Sequence, residues 1–175
     1  MIYYNEQDIL IRDMVESDAQ IITDEEHLQG WTHQKIDKYL RRFSDAKEKK
    51  CIALIAEYKG NVAGYLSVYP NSAGGALGGQ GLPELVDFGV LKKYRKNGIG
   101  NTLMQAAEDI AKKYADVVYL GVGLHKDYGA AQRIYAKRGF IPDGSGLWWK
   151  GKQLEPYADL KNDNEAVIYM AKKLS

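Results

Sequence analysis

Between an apolar run, Leu85 to Leu91, and an amphipathic stretch that begins at Ile99 lies the segment Arg95-Lys96-Asn97-Gly98-Ile99-Gly100. No other feature constrains the fold as much. A strand has to pass through a glycine turn directly into a helix. The first N–H groups of a helix have no intrahelical acceptor and lie at the positive end of its dipole. Two glycines let the backbone approach a ligand closely, and Arg95 and Lys96 add charge. Such a turn is a seat for a phosphate-bearing ligand. Two nucleotide-binding patterns fail in this context. A P-loop needs Lys-Ser/Thr after its last glycine, and a dinucleotide fingerprint needs Gly-x-Gly-x-x-Gly in a parallel βαβ unit. Here Asn101 follows Gly100.

The pattern around this turn alternates between strand and helix signals. Ile9 to Met14 reads as a first strand, followed by a helix with a Ser17-x-x-Gln20 capping box. Thr32 is expected to cap a second helix, in which Ile36, Tyr39, Leu40 and Phe43 share a face. Cys51–Tyr58 and Val62–Tyr69, around Lys59-Gly60-Asn61, predict a β-hairpin. Residues 71–81 hold five glycines and read as a mobile loop. After Gly98, Ile99, Leu103, Ala106, Ala107, Ile110 and Tyr114 fall on one helical face. Val117 to Val122 predicts a strand, and Asp127 caps a helix to about Arg138 that Gly139 ends. A short strand at 140–142, a long loop over 143–165 and a last strand over 166–174 complete the reading. The class is α/β: a mixed, mostly antiparallel central sheet with helices on both faces, in one domain spanning 1–175.

Composition narrows the function. With 175 residues and a net charge of +1, no global field draws the chain to nucleic acid or to a membrane. The lone Cys51 excludes an intrachain disulfide, and no cysteine-based metal site is expected. His27, His33 and His125 lack metal-ligand spacing, so no metal is expected. The N-terminus has no signal-peptide pattern, and no apolar run approaches the roughly 20 residues of a membrane-spanning helix. These features together suggest a cytoplasmic setting.

Arg95-x-x-Gly98-x-Gly100 after a strand, with Tyr135-x-x-x-Gly139-Phe140 after the last helix, resembles the acyl-CoA signature of the GNAT superfamily of N-acetyltransferases. The likeness runs from about residue 84 to 142. It implies an acyl-CoA N-acyltransferase fold, acetyl-CoA as donor, and transfer of its acetyl group to a primary amine by direct attack. The acceptor is expected to be a small molecule, with a protein or peptide amine, or a non-catalytic acyl-CoA sensor, as alternatives. By this resemblance the backbone of Arg95, Lys96, Asn97, Gly98, Ile99, Gly100 and Asn101 holds the CoA pyrophosphate. Phe88, Gly89 and Val90 lie where a bulged strand meets pantetheine, with Gly89 suited to the bulge. The Val90 N–H polarises the thioester carbonyl.

The resemblance also makes Tyr135 the general acid for the departing thiolate and Glu84 the general base, with Asp87 or water as rivals. Where the family often has an asparagine that contacts CoA, this chain has Tyr128. Trp31 and Leu147-Trp148-Trp149 are read either as walls of the acceptor pocket or as loop anchors or a homodimer contact.

Overall fold

The computed structural model describes residues 1–175. It divides into two compact units, each made of two chain segments: Met1–Tyr69 with Asp87–Ile110, and Pro70–Val86 with Ala111–Ser175.

The first unit holds β1 (Ile2–Glu6), β2 (Ile9–Asp13), α1 (Glu16–Leu28), α2 (Ile36–Lys47), β3 (Ile52–Tyr58), β4 (Asn61–Tyr69), the second half of β5 (Glu84–Val90), and α3 (Ile99–Ala111). Strands β1 to β4 run antiparallel in chain order, and β5 borders β4. Strand β4 is buried without interruption from Val62 to Val68, as expected of a strand covered on both faces. The coverage follows from alternation. A Cβ on Gly64 would lie 3.1 Å from Leu103 of α3, while the next residue, Tyr65, packs with Ile22 of α1 and Tyr39 of α2. Adjacent strand residues leave opposite faces, so α3 covers one side of β4 and the α1–α2 pair the other.

Strand β1 is absent from the sequence reading. Its side chains are exposed or half-buried throughout, so it carries no alternating signal. Helix α1 begins one residue before the expected Ser17 cap, and Asp18 accepts the Val15 N–H at 2.8 Å. Helix α2 begins at Ile36 rather than after Thr32. The Trp31 N–H is already committed to closing α1 on Glu26 O (2.8 Å), so residues 31–35 turn before a new helix starts.

The second unit holds the loop over residues 70–83, the first half of β5, β6 (Val117–Gly123), α4 (Gly129–Lys137), β7 (Ile141–Trp149), β8 (Lys152–Gln153) and β9 (Ala166–Lys173). Its strands follow the order β5-β6-β9-β7-β8. β5 and β6 are parallel, registered as Glu84↔Tyr119 and Leu85↔Leu120, and β9 is antiparallel to both β6 and β7. Strand β7 replaces the first part of the loop expected over 143–165. Its register shifts between Pro142 and Leu147, where Gly144 (φ 86°) and Gly146 (φ 77°) make an irregular bulge that hides the strand pattern. Leu147, Trp148 and Trp149 then pair with Ile168, Val167 and Ala166. No helix is long and apolar enough to cross a membrane.

Candidate active site

In the first unit, Arg95 to Asn101 form the turn into α3. Lys96 (φ 67°) and Gly98 (φ 82°) both take the left-handed conformation, and no backbone acceptor receives the N–H groups of Lys96, Asn97 or Gly98. Alternating backbone handedness of this kind curls consecutive N–H groups into an anion-binding concavity, here at the positive end of a 13-residue helix. The Asn97 amide locks the turn from behind, donating to Tyr94 O (3.0 Å) and Arg95 O (3.3 Å). The Arg95 guanidinium turns back: Nε donates to Val90 O at 3.1 Å and the group lies 5.6 Å from the Trp31 ring centre. The Lys92 ammonium also lies over Trp31, at 5.5 Å. Trp31 therefore seats two cations of the turn.

The left-handed residue of strand β5 is Asp87 (φ 58°) rather than Gly89. Arg42 Nε (2.6 Å) and Lys38 Nζ (3.3 Å) hold the Asp87 carboxylate, so this rival base is committed to an ion-pair cluster. Gly89 has a different reason to be glycine. A Cβ there would meet Tyr65 Cζ and Oη at 2.4 Å. A Cβ on Gly64 would in turn meet Gly89 O at 2.8 Å, so β4 and β5 approach closely at this pair of glycines. The Leu91 N–H donates to Ala63 O of β4 (2.9 Å), and strand alternation sends the Val90 N–H away from β4.

Tyr65 belongs to a network that sequence reasoning missed. Its hydroxyl donates to the carboxylate of Glu26, and that of Tyr39 donates to the other carboxylate oxygen at 2.5 Å. The tyrosine rings meet edge-on at 5.2 Å. Glu26 has no exposed surface. Burial, with the charge of Glu26 adding to it, pushes both phenols well above the ordinary tyrosine range. The available signal was position: Glu26 falls in α1 one turn after the buried Ile22, on a helix otherwise rich in exposed charge.

In the second unit, Glu84 accepts from the Ser72 hydroxyl at 2.5 Å and faces the Tyr119 hydroxyl at 3.4 Å. The Tyr119 hydroxyl donates to Gly74 O at 2.7 Å. Burial, reinforced by the charge of Glu84, pushes the Tyr119 phenol up to about 12. A Cβ on Gly75 would strike the Tyr169 ring at 2.3 Å. The glycine loop is thus strapped over Tyr119 and Tyr169. Trp148 meets Tyr169 edge-on at 5.5 Å.

Tyr135 is 6% exposed on α4. The spacing Tyr-x-x-x-Gly-Phe has a local cause. The Phe140 N–H returns to Tyr135 O (3.0 Å) and the Gly139 N–H to Ala136 O (3.1 Å), a Schellman closure with Gly139 at φ 89°. The Tyr135 and Phe140 rings lie 5.9 Å apart, which is its hydrophobic contact. That cap accounts for the glycine, the phenylalanine and the tyrosine ring. Tyr128 packs on Gly123, where a Cβ would lie 2.3 Å from its ring, and donates to Asn164 Oδ1 at 3.1 Å.

A mixed sheet with an anion-binding turn after strand β5 is the architecture of an acyl-CoA-type transferase. The profile of the "Acetyltransferase (GNAT) family" matches residues 17–140, most of the chain, and the protein belongs to that family. No curated protein matches in sequence. Among similar solved structures, yncA from Salmonella typhimurium, solved with its cofactor acetyl-CoA, is 17% identical (TM-score 0.67; 97% of this chain and 95% of that one covered). Ard1 from Thermoplasma volcanium is 18% identical (TM-score 0.69; 97% and 99% covered). The ribosomal-protein-alanine N-acetyltransferase of Brucella melitensis is 19% identical (TM-score 0.65; 94% and 99% covered).

Proposed function

We propose that this acetyltransferase moves the acetyl group of acetyl-CoA to a primary amine of a small molecule, by direct attack in a ternary complex. The observation that carries the reading is the Leu91 N–H bond to Ala63 O, from which alternation turns the Val90 N–H away from β4 a few residues before the left-handed turn into α3. In this reading the N–H groups from Arg95 to Asn101 bind the pyrophosphate, and Phe88 and Gly89 border the pantetheine. The Val90 N–H stabilises the charge that develops on the carbonyl oxygen as the amine nitrogen bonds to carbon. Tyr135 gives its hydroxyl proton to the sulfur as the C–S bond breaks. Glu84, oriented by Ser72, or a water takes the amine proton. Tyr128 stands in the place of the family asparagine and contacts the donor by its ring.

A peptide amine is the second reading, favoured by the fold shared with the ribosomal-protein-alanine N-acetyltransferase. Thiol release from acetyl-CoA, measured across small primary amines and short peptides with free N-termini, tests both. Turnover with small amines alone supports the first reading, turnover with peptides alone supports the second, and no turnover with either removes both.

A further inference from the structure

Glu26 is a carboxylate with no exposed surface and no Lys, Arg or His within ion-pair distance. Two phenols alone satisfy it. A buried anion without a counter-ion is costly unless something else offsets it, and such groups concentrate at functional sites. The charged groups around it are otherwise used. Asp87 of β5 takes both Arg42 and Lys38 of α2, and the Lys38 ammonium lies 5.3 Å over the Tyr39 ring, turned to Asp87. The network also has a direction. Tyr65 gives its proton to Glu26, and its oxygen lies where a Cβ on Gly89 would be, only 2.4 Å from that point. Gly89 is the residue before Val90, whose N–H is the expected oxyanion donor. The Tyr39 proton goes to Glu26 at 2.5 Å rather than to Tyr65 at 3.3 Å, so the Tyr65 oxygen keeps lone pairs available on the Gly89 side.

We propose that Tyr65 and Glu26, in place of Glu84 or a water, form the proton-accepting pair for the acceptor amine, an inference that otherwise rests on the acetyl-transfer reading above. Tyr65 is the group that touches substrate: its oxygen takes the proton that nitrogen sheds on bonding to the acetyl carbon. The proton of its own hydroxyl passes to the Glu26 carboxylate, which becomes the neutral acid. Tyr65 begins and ends as a phenol, as its strongly raised pKa requires, and no net charge is created beyond the proton moved. Glu26 acts through Tyr65 and is a positioning residue.

The test compares wild type, Glu26→Gln, Tyr65→Phe and the double variant. Each is assayed for thiol release with acetyl-CoA and the best amine of a panel of spermidine, tyramine, lysine and alanine-initiated tetrapeptide. Removing a general-base path lowers turnover by about 10²–10⁴-fold. Both single variants should lose kcat by that order, with acetyl-CoA affinity by calorimetry unchanged. The loss should fall on kcat rather than on the amine KM, and the double variant should lose no more than either single one. A Glu26→Gln enzyme with wild-type kcat overturns the proposal, as do additive losses in the double variant. If Glu26→Gln does not fold, Tyr65→Phe, which keeps the ring, decides alone by the same criteria. Wild type that binds acetyl-CoA but turns over no amine removes the acetyl-transfer reading and this proposal with it, whereas active wild type with indifferent variants removes only the proposal.

Discussion

Gly89→Ala is the sharpest single perturbation of the donor strand. The added carbon would sit 2.4 Å from both Cζ and Oη of Tyr65 and 2.9 Å from Cε1. That is about an ångström inside ordinary carbon contact distances. The ring cannot swing aside freely, because its hydroxyl is bonded to Glu26 and its edge meets Tyr39. Overpacking of a well-filled site costs about 1–3 kcal/mol. In a chain of 175 residues each kcal/mol moves Tm by about 2–4 °C, so a fall of about 2–12 °C is expected. Gly129→Ala is the matched control. Gly129 has helical dihedrals (φ −57°) and nothing within 4 Å of an added Cβ, so alanine there should leave stability unchanged or raise it by about 0.4–1 kcal/mol. Differential scanning calorimetry on both variants reads the contrast. Because the Val90 N–H adjoins Gly89, kcat should fall with Tm in Gly89→Ala alone. In a Tyr65→Ala background the added cost of Gly89→Ala should vanish, since the clash partner is gone. Equal melting temperatures for wild type and Gly89→Ala would refute the steric account.

Four further outcomes are expected. Asp87→Val places a β-branched residue at φ 58° and removes the partner of Arg42 and Lys38, so it should destabilise by at least about 2 kcal/mol, while Asp87→Asn, which tolerates that backbone, should lose less; chemical denaturation midpoints rank them. Gly98→Ala, at φ 82° in the phosphate turn, should weaken acetyl-CoA binding by about tenfold, corresponding to about 1.4 kcal/mol, whereas Gly60→Ala, also left-handed (φ 79°) but in the β3–β4 turn, should leave calorimetric affinity unchanged. Tyr135→Phe keeps the ring of the helix cap, so Tm should hold while kcat falls by about 10²-fold or more; full kcat in steady-state assays would remove the acid role. Finally, the folded pKa of Tyr119 is raised from 10.0 to about 12, so the fold favours the protonated phenol: that stability is fully present below pH 10 and is lost as pH rises toward 12. Tyr39, Tyr65 and Tyr69 shift in the same direction, so absorbance at alkaline pH should show these phenols ionising only together with unfolding.

Elements with strong periodicity were legible from residues alone. The β3–β4 hairpin, β6, β9 and the buried face of α3 appear where apolar spacing puts them, and Tyr114 misses the α3 face because the helix ends at Ala111. The turn into α3 was legible because glycine betrays its left-handed backbone. The rest depended on contacts distant in sequence. Nothing near Gly89 reveals Tyr65 or the left-handed conformation of Asp87, whose carboxylate is held by Arg42, 45 residues away. Glu26 reads as one more helix carboxylate until Tyr39 and Tyr65 are folded onto it. Strand β7 is masked by the two glycines that bend it. The Tyr135–Phe140 pattern was legible as a family mark, while its local cause, a helix cap, emerged only from the hydrogen bonds.

Lys96 holds a left-handed conformation that glycine would adopt without strain, in a turn whose cation content matters for an anionic donor. A library of variants selected only for survival on heating would therefore be expected to enrich glycine at position 96, relieving about 1 kcal/mol of backbone strain. Such winners would have one positive charge fewer beside the phosphate cradle. Selection for robustness and selection for donor capture pull in opposite directions at this residue, and any thermostabilisation campaign on the protein should hold it fixed.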